Sequence, residues 1–134
     1  MSKSGFLQGW DPQVLSILRI MAGFLLLFHG TMKLFNFPAS TPPMQIELFS
    51  LMGLAGVLEA FGGFLLFLGL FTRPVAFILC GEMAVAYFKA HAPQGFLPII
   101  NHGELAVIYC FVFLYLTFAG GGPWSLDSVL RRVK

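Results

Sequence analysis

Within three long apolar stretches of this chain stand Arg19, His29, Lys33, Glu59, Glu82 and Lys89, and Glu104 marks the edge of a fourth. Three bases and three acids in such surroundings pair or work, because an ionised group at membrane depth costs from a few to more than ~10 kcal/mol. Counted along the helical rise from one end of their stretches, Arg19 lies at roughly 9 Å, Glu82 at roughly 12 Å and Glu59 at roughly 18 Å. A cation and two carboxylates are therefore expected at neighbouring levels; if Arg19 pairs with only one of Glu59 and Glu82, one acid is left over. The acid left over would be held protonated, which is how a proton-coupled or quinone-reducing site is prepared. Nearer the other end, His29, Lys33, Lys89, His91, His102 and Glu104 form a second candidate cluster. Two readings of the set stay open: ion pairs that orient and lock a helical bundle, or a polar site or proton path opening through His29 and Lys33.

Positioning these residues requires helices in a bilayer. Of 134 residues, 57% are hydrophobic and 10% charged, against about 25% charged in a soluble domain. That balance excludes a water-soluble globular domain, a disordered tail, a disulfide scaffold and a nucleic-acid binder, which would need a basic face. Unpaired backbone is intolerable in lipid and barrel strands would alternate, so the expected fold is all-α, a bundle of four membrane-spanning helices in one domain. The spans read as 13–35, 48–71, 74–91 and 104–120, with Asp11-Pro12 opening the first and the Pro38 to Pro43 segment closing it. Thr72-Arg73-Pro74 makes a tight turn, 91–103 reads as a loop, and Gly120 to Pro123 end the last span.

Helical spacing puts Arg19, Gly23, Leu26, Gly30 and Lys33 on one stripe of the first span, and Gly56 and Gly63 beside Glu59 on the second, so backbones can approach closely there. Glu82 and Lys89 share a face of the third. In the tail at 124–134, Ser125 caps a short interfacial helix with Asp127 in its first turn, Trp124 at headgroup level and Arg131, Arg132 and Lys134 on anionic lipid. An even number of spans groups Lys3, Arg73, Arg131, Arg132 and Lys134 on one side against Lys33 and Lys89 on the other, so both termini are expected in the cytoplasm. The first apolar run is long, contains Arg19 and lacks a small-x-small site, which reads as a retained helix and not a cleaved signal.

Other chemistry has little support. Cys80 and Cys110 are expected to differ in depth by about 10 Å, too far for a disulfide, and no C-x-x-C is present. Haem would need His29 facing His91 or His102 at one level, and the latter two border a loop. No metal-ligand spacing, phosphate-binding glycine loop or nucleophile motif occurs.

The string Arg19-Ile-Met-Ala-Gly23 through His29-Gly30 to Lys33-Leu34-Phe35 resembles the opening motif of the DoxX family of small membrane proteins. Glu59-Ala-Phe-Gly62-Gly63, the Leu68 to Pro74 turn, Asn101-His-Gly103-Glu104 and Gly122-Pro123-Trp-Ser125-Leu126-Asp127 resemble its later motifs, in order along nearly the whole chain. The resemblance implies four transmembrane helices in a bacterial inner membrane. It also implies a loose link to redox metabolism, since the family name comes from a subunit of a thiosulfate:quinone oxidoreductase. Carried over by resemblance are Arg19, His29, Gly30, Lys33, Glu59, Arg73, Glu104 and Asp127, whereas Glu82 has no place in that pattern.

Three functions follow as expectations. The first is a membrane subunit or partner of a quinone-, thiol- or sulfur-linked redox system, taking part in catalysis, if at all, as a subunit of an oxidoreductase. It would have no redox centre of its own and no covalent cofactor, would take quinone at most, and would be served by a soluble or membrane redox enzyme. The second is a proton-coupled transporter using Glu59 or Glu82, which would require a homo-oligomer. The third is a non-catalytic scaffold or assembly factor.

Overall fold

The computed structural model describes residues 5–43 and 46–134, so Lys3, counted above for orientation, lies outside the described residues. Among the described residues there is no strand, and three helical segments are long and apolar enough to cross a membrane. Helix α1 runs Asp11–Phe35, α2 Leu51–Leu68 and α3 Thr72–Ala86, the last prolonged by a π-helical turn at Tyr87–His91. A one-turn α4 (Pro98–Asn101) precedes the shorter apolar α5 (Glu104–Ala119), and α6 (Leu126–Val133) closes the chain.

Local chemistry sets these ends. Pro12 sits in the first turn of α1, where its missing N–H is harmless. Asn36, in the left-handed region at φ 52°, stops α1 by returning its N–H to Met32. The second helix is three residues shorter at each end than the expected 48–71. Ser50 accepts the Gly53 N–H as an N-cap, and Gly69 at φ 72° turns the chain out after Leu68. The expected loop at 91–103 holds a 3-10 turn (Ala92–Gln94) as well as α4. Ser125 caps α6 by accepting the Ser128 N–H.

Two helix pairs make the bundle: α1 lies along α2 and α3 along α5. The small-residue stripes meet in the first pair. A Cβ on Gly30 would stand 2.2 Å from the Ala60 backbone nitrogen, and one on Gly23 would stand 2.5 Å from that of Phe67, so backbone meets backbone with no room for side chains. Leu26, Leu66, Leu79, Phe113 and Leu116 fill the space between the pairs. Outward, Phe61, Phe77, Phe111 and Phe118 are each more than 60% exposed, an apolar surface that only lipid would cover.

The starts of α1 and α3 and the ends of α2 and α5 share one end of the bundle, where α6 also lies. There Asp127 of α6 accepts the Phe71 and Thr72 N–H groups at 2.8 and 2.9 Å, capping α3 across the chain, while its own N–H donates to Gly69. The charge expected to favour the α6 dipole thus also serves the exposed donors of α3.

Candidate functional site

Arg19 pairs with neither Glu59 nor Glu82, and the neighbouring levels expected from the sequence do not hold. It is wholly buried, and its donors go to backbone carbonyls: Nε to Gly121 at 2.8 Å, Nη1 to Leu66 and Phe67 at 2.6 and 2.8 Å, and Nη2 to Trp124 at 2.5 Å. Leu66 and Phe67 lie in the last turn of α2, whose carbonyls have no partner within the helix. Arg19 therefore caps α2 and ties the segment after α5 to it, and the carboxylate that acts on it electrostatically is Asp127. The depth count failed because helix ends are not level. Arg19 touches Gly69, so α1 overhangs the end of α2 by roughly two turns. Helical side chains also lean toward their own N-terminus, which carries the guanidinium away from the acids.

The same lean brings Lys33 down onto Glu59. Its Nζ donates to both carboxylate oxygens at 2.6 Å, and among the described residues this is the one ion pair within 4 Å. Glu59 is 3% exposed, and the glycine at 56 lets Lys33 and Leu34 lie against α2 beside it. Glu82 approaches this pair from α3, within electrostatic range of both Glu59 and Lys33. Both Glu82 carboxylate oxygens are out of solvent and no donor reaches them, while the Glu59 carboxyl stands within hydrogen-bonding range of Glu82. Glu82 and Lys89 also line an apolar groove of about 340 Å³ between α2 and α3, walled by Leu51, Leu54, Leu58 and Ile78.

The second expected cluster does not assemble. His29 is exposed and packs edge-on against Tyr109, whereas His102 and Glu104 are exposed at the start of α5. His91 directs Nδ1 to the Asn101 carbonyl at 3.1 Å. At this end the organising residue is Asn101, which sequence reasoning missed. Its buried amide donates to Gly95 and to the Tyr87 hydroxyl and accepts the Gly103 N–H, while Tyr87 donates to Phe96. Asn101 within the apolar Pro98-Ile-Ile-Asn run was the available signal.

Cys80 and Cys110 are corrected as well: their sulfurs are 3.7 Å apart and both thiols are free. Arg73 bonds the Phe118 carbonyl at 2.8 Å, which sets the start of α3 level with the end of α5. Cys80 and Cys110 then stand eight and nine residues from those ends, at nearly equal depth. Among the described residues, no three His, Cys, Asp or Glu side chains come together to hold a metal ion.

A helical bundle with an apolar exterior and a buried, partly unpaired ion cluster defines a small membrane protein. The DoxX family model matches residues 14–92, and the chain belongs to that family. An "Uncharacterized protein" of Haemophilus influenzae is 46% identical over 126 residues, covering 91% of this chain and 94% of its own length. A second from the same organism is 33% identical over 74% of this chain and 63% of its own length. The "Uncharacterized membrane protein Rv3486" of Mycobacterium tuberculosis is 28% identical over 90% of this chain and 83% of its own. No solved structure matches.

Proposed function

We propose that this DoxX protein is the membrane partner of a redox enzyme and that its α2–α3 groove takes a quinone-class molecule from the bilayer. The observation that carries this reading is Glu82: a carboxyl shut from water, served by no donor and with the Glu59 carboxyl as its polar neighbour, on the wall of an apolar groove. A buried polar group left unsatisfied costs about 1–3 kcal/mol, so a ligand that bonds to it recovers that cost. The groove volume of about 340 Å³ falls in the range of small-molecule sites, ~300–1,000 Å³. It suits a ring headgroup whose tail stays in lipid. Reduction of a quinone takes two electrons and two protons: the partner enzyme supplies both electrons and one proton, and the Glu82 carboxyl gives the other and is left as a carboxylate. Glu59 is unsuited to that role because Lys33 holds both its oxygens.

On this reading α1, α2, α3 and α5 are the four spans of a multi-pass protein of the bacterial inner membrane. Arg73, Arg131, Arg132 and Lys134 gather at the end that carries α6, which the positive-inside rule assigns to the cytoplasm together with both termini. The test is gentle extraction from native membrane, followed by mass spectrometry of co-purifying proteins and small molecules and an absorption spectrum. The expected result is a quinone together with a flavin, thiol or sulfur enzyme, with quinone retention falling ~10-fold in Glu82→Leu through loss of one buried hydrogen bond. A colourless protein without quinone or partner overturns the reading.

The same unpaired carboxyl favours a second reading, proton-coupled transport by an oligomer. In that case substrate flux in vesicles follows an imposed pH gradient and stops in Glu82→Gln. A scaffold predicts neither result: Glu82→Gln would leave flux and partner retention unchanged.

A further inference from the structure

We infer that the crevice between α6 and the start of α3 is a binding site for the phosphate group of an anionic phospholipid. The crevice holds about 350 Å³ and is lined by Thr72, Arg73, Asp127, Arg131 and Lys134, with Gly120 and Gly121 at its floor. Three cations face one carboxylate there, and that carboxylate is committed to the Phe71 and Thr72 N–H groups. The cations retain donors. Arg73 gives one nitrogen to the Phe118 carbonyl and Arg131 gives Nε to the Asp127 carbonyl, which leaves the rest of each guanidinium for a ligand.

A second observation is independent of charge. Thr72 is 1% exposed, lines the crevice, and has a hydroxyl without a hydrogen-bond partner. The two glycines keep the floor open beside it. A Cβ on Gly121 would stand 2.8 Å from that hydroxyl oxygen, and one on Gly120 would stand 3.3 Å from Nε of Arg73. Two forked guanidinium groups, an ammonium and a neutral donor match phosphate oxygens, which accept charge-assisted and bidentate bonds.

The level of the crevice identifies the source. Trp124, Val129, Leu130 and Val133 are each at least half exposed and give α6 an apolar face fitted to the bilayer interface. A phosphate at that level belongs to a lipid headgroup. This is more specific than attraction of a basic tail to an anionic surface, because Arg132 lies on the same helix yet does not line the crevice.

That difference makes the test. Purified full-length protein in neutral detergent is exposed to phosphatidylglycerol, phosphatidylcholine or inorganic phosphate, and bound lipid is counted by native mass spectrometry alongside the thermal midpoint. Phosphatidylglycerol is expected to be retained and to raise the midpoint. Retention should fall ~10-fold, about 1.4 kcal/mol, in the Arg131→Gln/Lys134→Gln double variant and several-fold in Thr72→Val. Arg132→Gln should retain lipid as the parent does. Equal losses in Arg132→Gln and the double variant, or equal retention of phosphatidylcholine, overturn the site. Stabilisation by millimolar inorganic phosphate matching that by phosphatidylglycerol overturns its assignment to lipid. Each variant's helicity, measured by circular dichroism, separates lost binding from lost folding.

Discussion

Replacing Arg19 with Met tests the central structural argument, that this buried cation is held by backbone and not by an acid. The substitution removes every bond to the carbonyls of Leu66, Phe67, Gly121 and Trp124. Leu66 keeps the Gly69 N–H and Gly121 keeps the Ser16 hydroxyl, so the Phe67 and Trp124 carbonyls are the ones that lose their donor, at about 1–3 kcal/mol each. Part of that is offset because a guanidinium no longer has to be taken out of water, which leaves about 2–4 kcal/mol net. At ~2–4 °C per kcal/mol, the midpoint should fall by roughly 4–16 °C. Arg19→Lys keeps the charge but has three donors on one nitrogen and lacks the fork, so about 1–3 kcal/mol is expected.

The assay is thermal unfolding of purified protein in mild detergent, followed by tryptophan fluorescence, since Trp124 contributes one of the carbonyls bound by Arg19. A double-mutant cycle then separates the two accounts of this arginine. If Arg19 were the counter-ion of Glu59, adding Glu59→Gln would relieve part of the loss. The structure places them on different partners, so the two losses should add within ~0.5 kcal/mol, whereas the Lys33→Met/Glu59→Gln cycle should show coupling of ~1 kcal/mol or more. Coupling above ~1 kcal/mol between Arg19 and Glu59, or an Arg19→Met midpoint within ~2 °C of the parent, would refute the reasoning.

Three further outcomes follow from the packing. Gly30→Val should separate α1 from α2 and lower the midpoint by more than ~10 °C, because the added atoms would meet the Ala60 backbone, whereas Gly81→Ala, with open space around it, should shift the midpoint by less than ~3 °C. Treatment with copper phenanthroline should form an intramolecular disulfide between Cys80 and Cys110; peptide mapping that finds both thiols still alkylatable would contradict the 3.7 Å contact. Asn101→Leu should destabilise by about 1–3 kcal/mol by stranding the Gly95 carbonyl and leaving the Gly103 N–H only the Pro98 carbonyl, and hydrogen exchange should rise at residues 95–103 while α2 stays protected; uniform exchange across the bundle would contradict a local role.

How much of this could be read from sequence differs with the kind of information each feature needs. The long apolar helices and their approximate ends follow from apolar run length and from Pro12, Ser125 and the Gly120 to Pro123 break, all of which act locally. The stripe of Gly23 and Gly30 follows from helical period alone and does lie against α2. Relative depth does not follow, because it depends on how far each helix overhangs its neighbour. That single unknown misplaced Arg19 among the acids and set Cys80 and Cys110 apart. Backbone carbonyls as partners for Arg19 were invisible for another reason: any residue type could supply them, so no side chain in the sequence marks the acceptors at Leu66, Phe67 or Gly121.

The buried ions separate by what satisfies them, and that separation points to where function lies. Arg19 is fully bonded, and its bonds hold together the end of α2 and the segment leading to α6, so a structural account of it is complete. Lys33 and Glu59 satisfy each other across the α1–α2 seam and need no further partner to be tolerated in lipid. Glu82 has neither solution: no donor reaches its oxygens, and its polar neighbour is the Glu59 carboxyl that Lys33 already holds. It stands against a seam that is already neutral, so its own charge or its own proton is not required by the packing, and an apolar residue of similar size would remove the cost of burying it. Glu82→Leu is therefore expected to stabilise the purified protein, raising the midpoint by a few degrees at ~2–4 °C per kcal/mol, while lowering quinone retention ~10-fold. A stability gain joined to a functional loss would mark Glu82 as the residue whose burial only function explains; destabilisation by Glu82→Leu would place it with Arg19 among the groups that hold the bundle together.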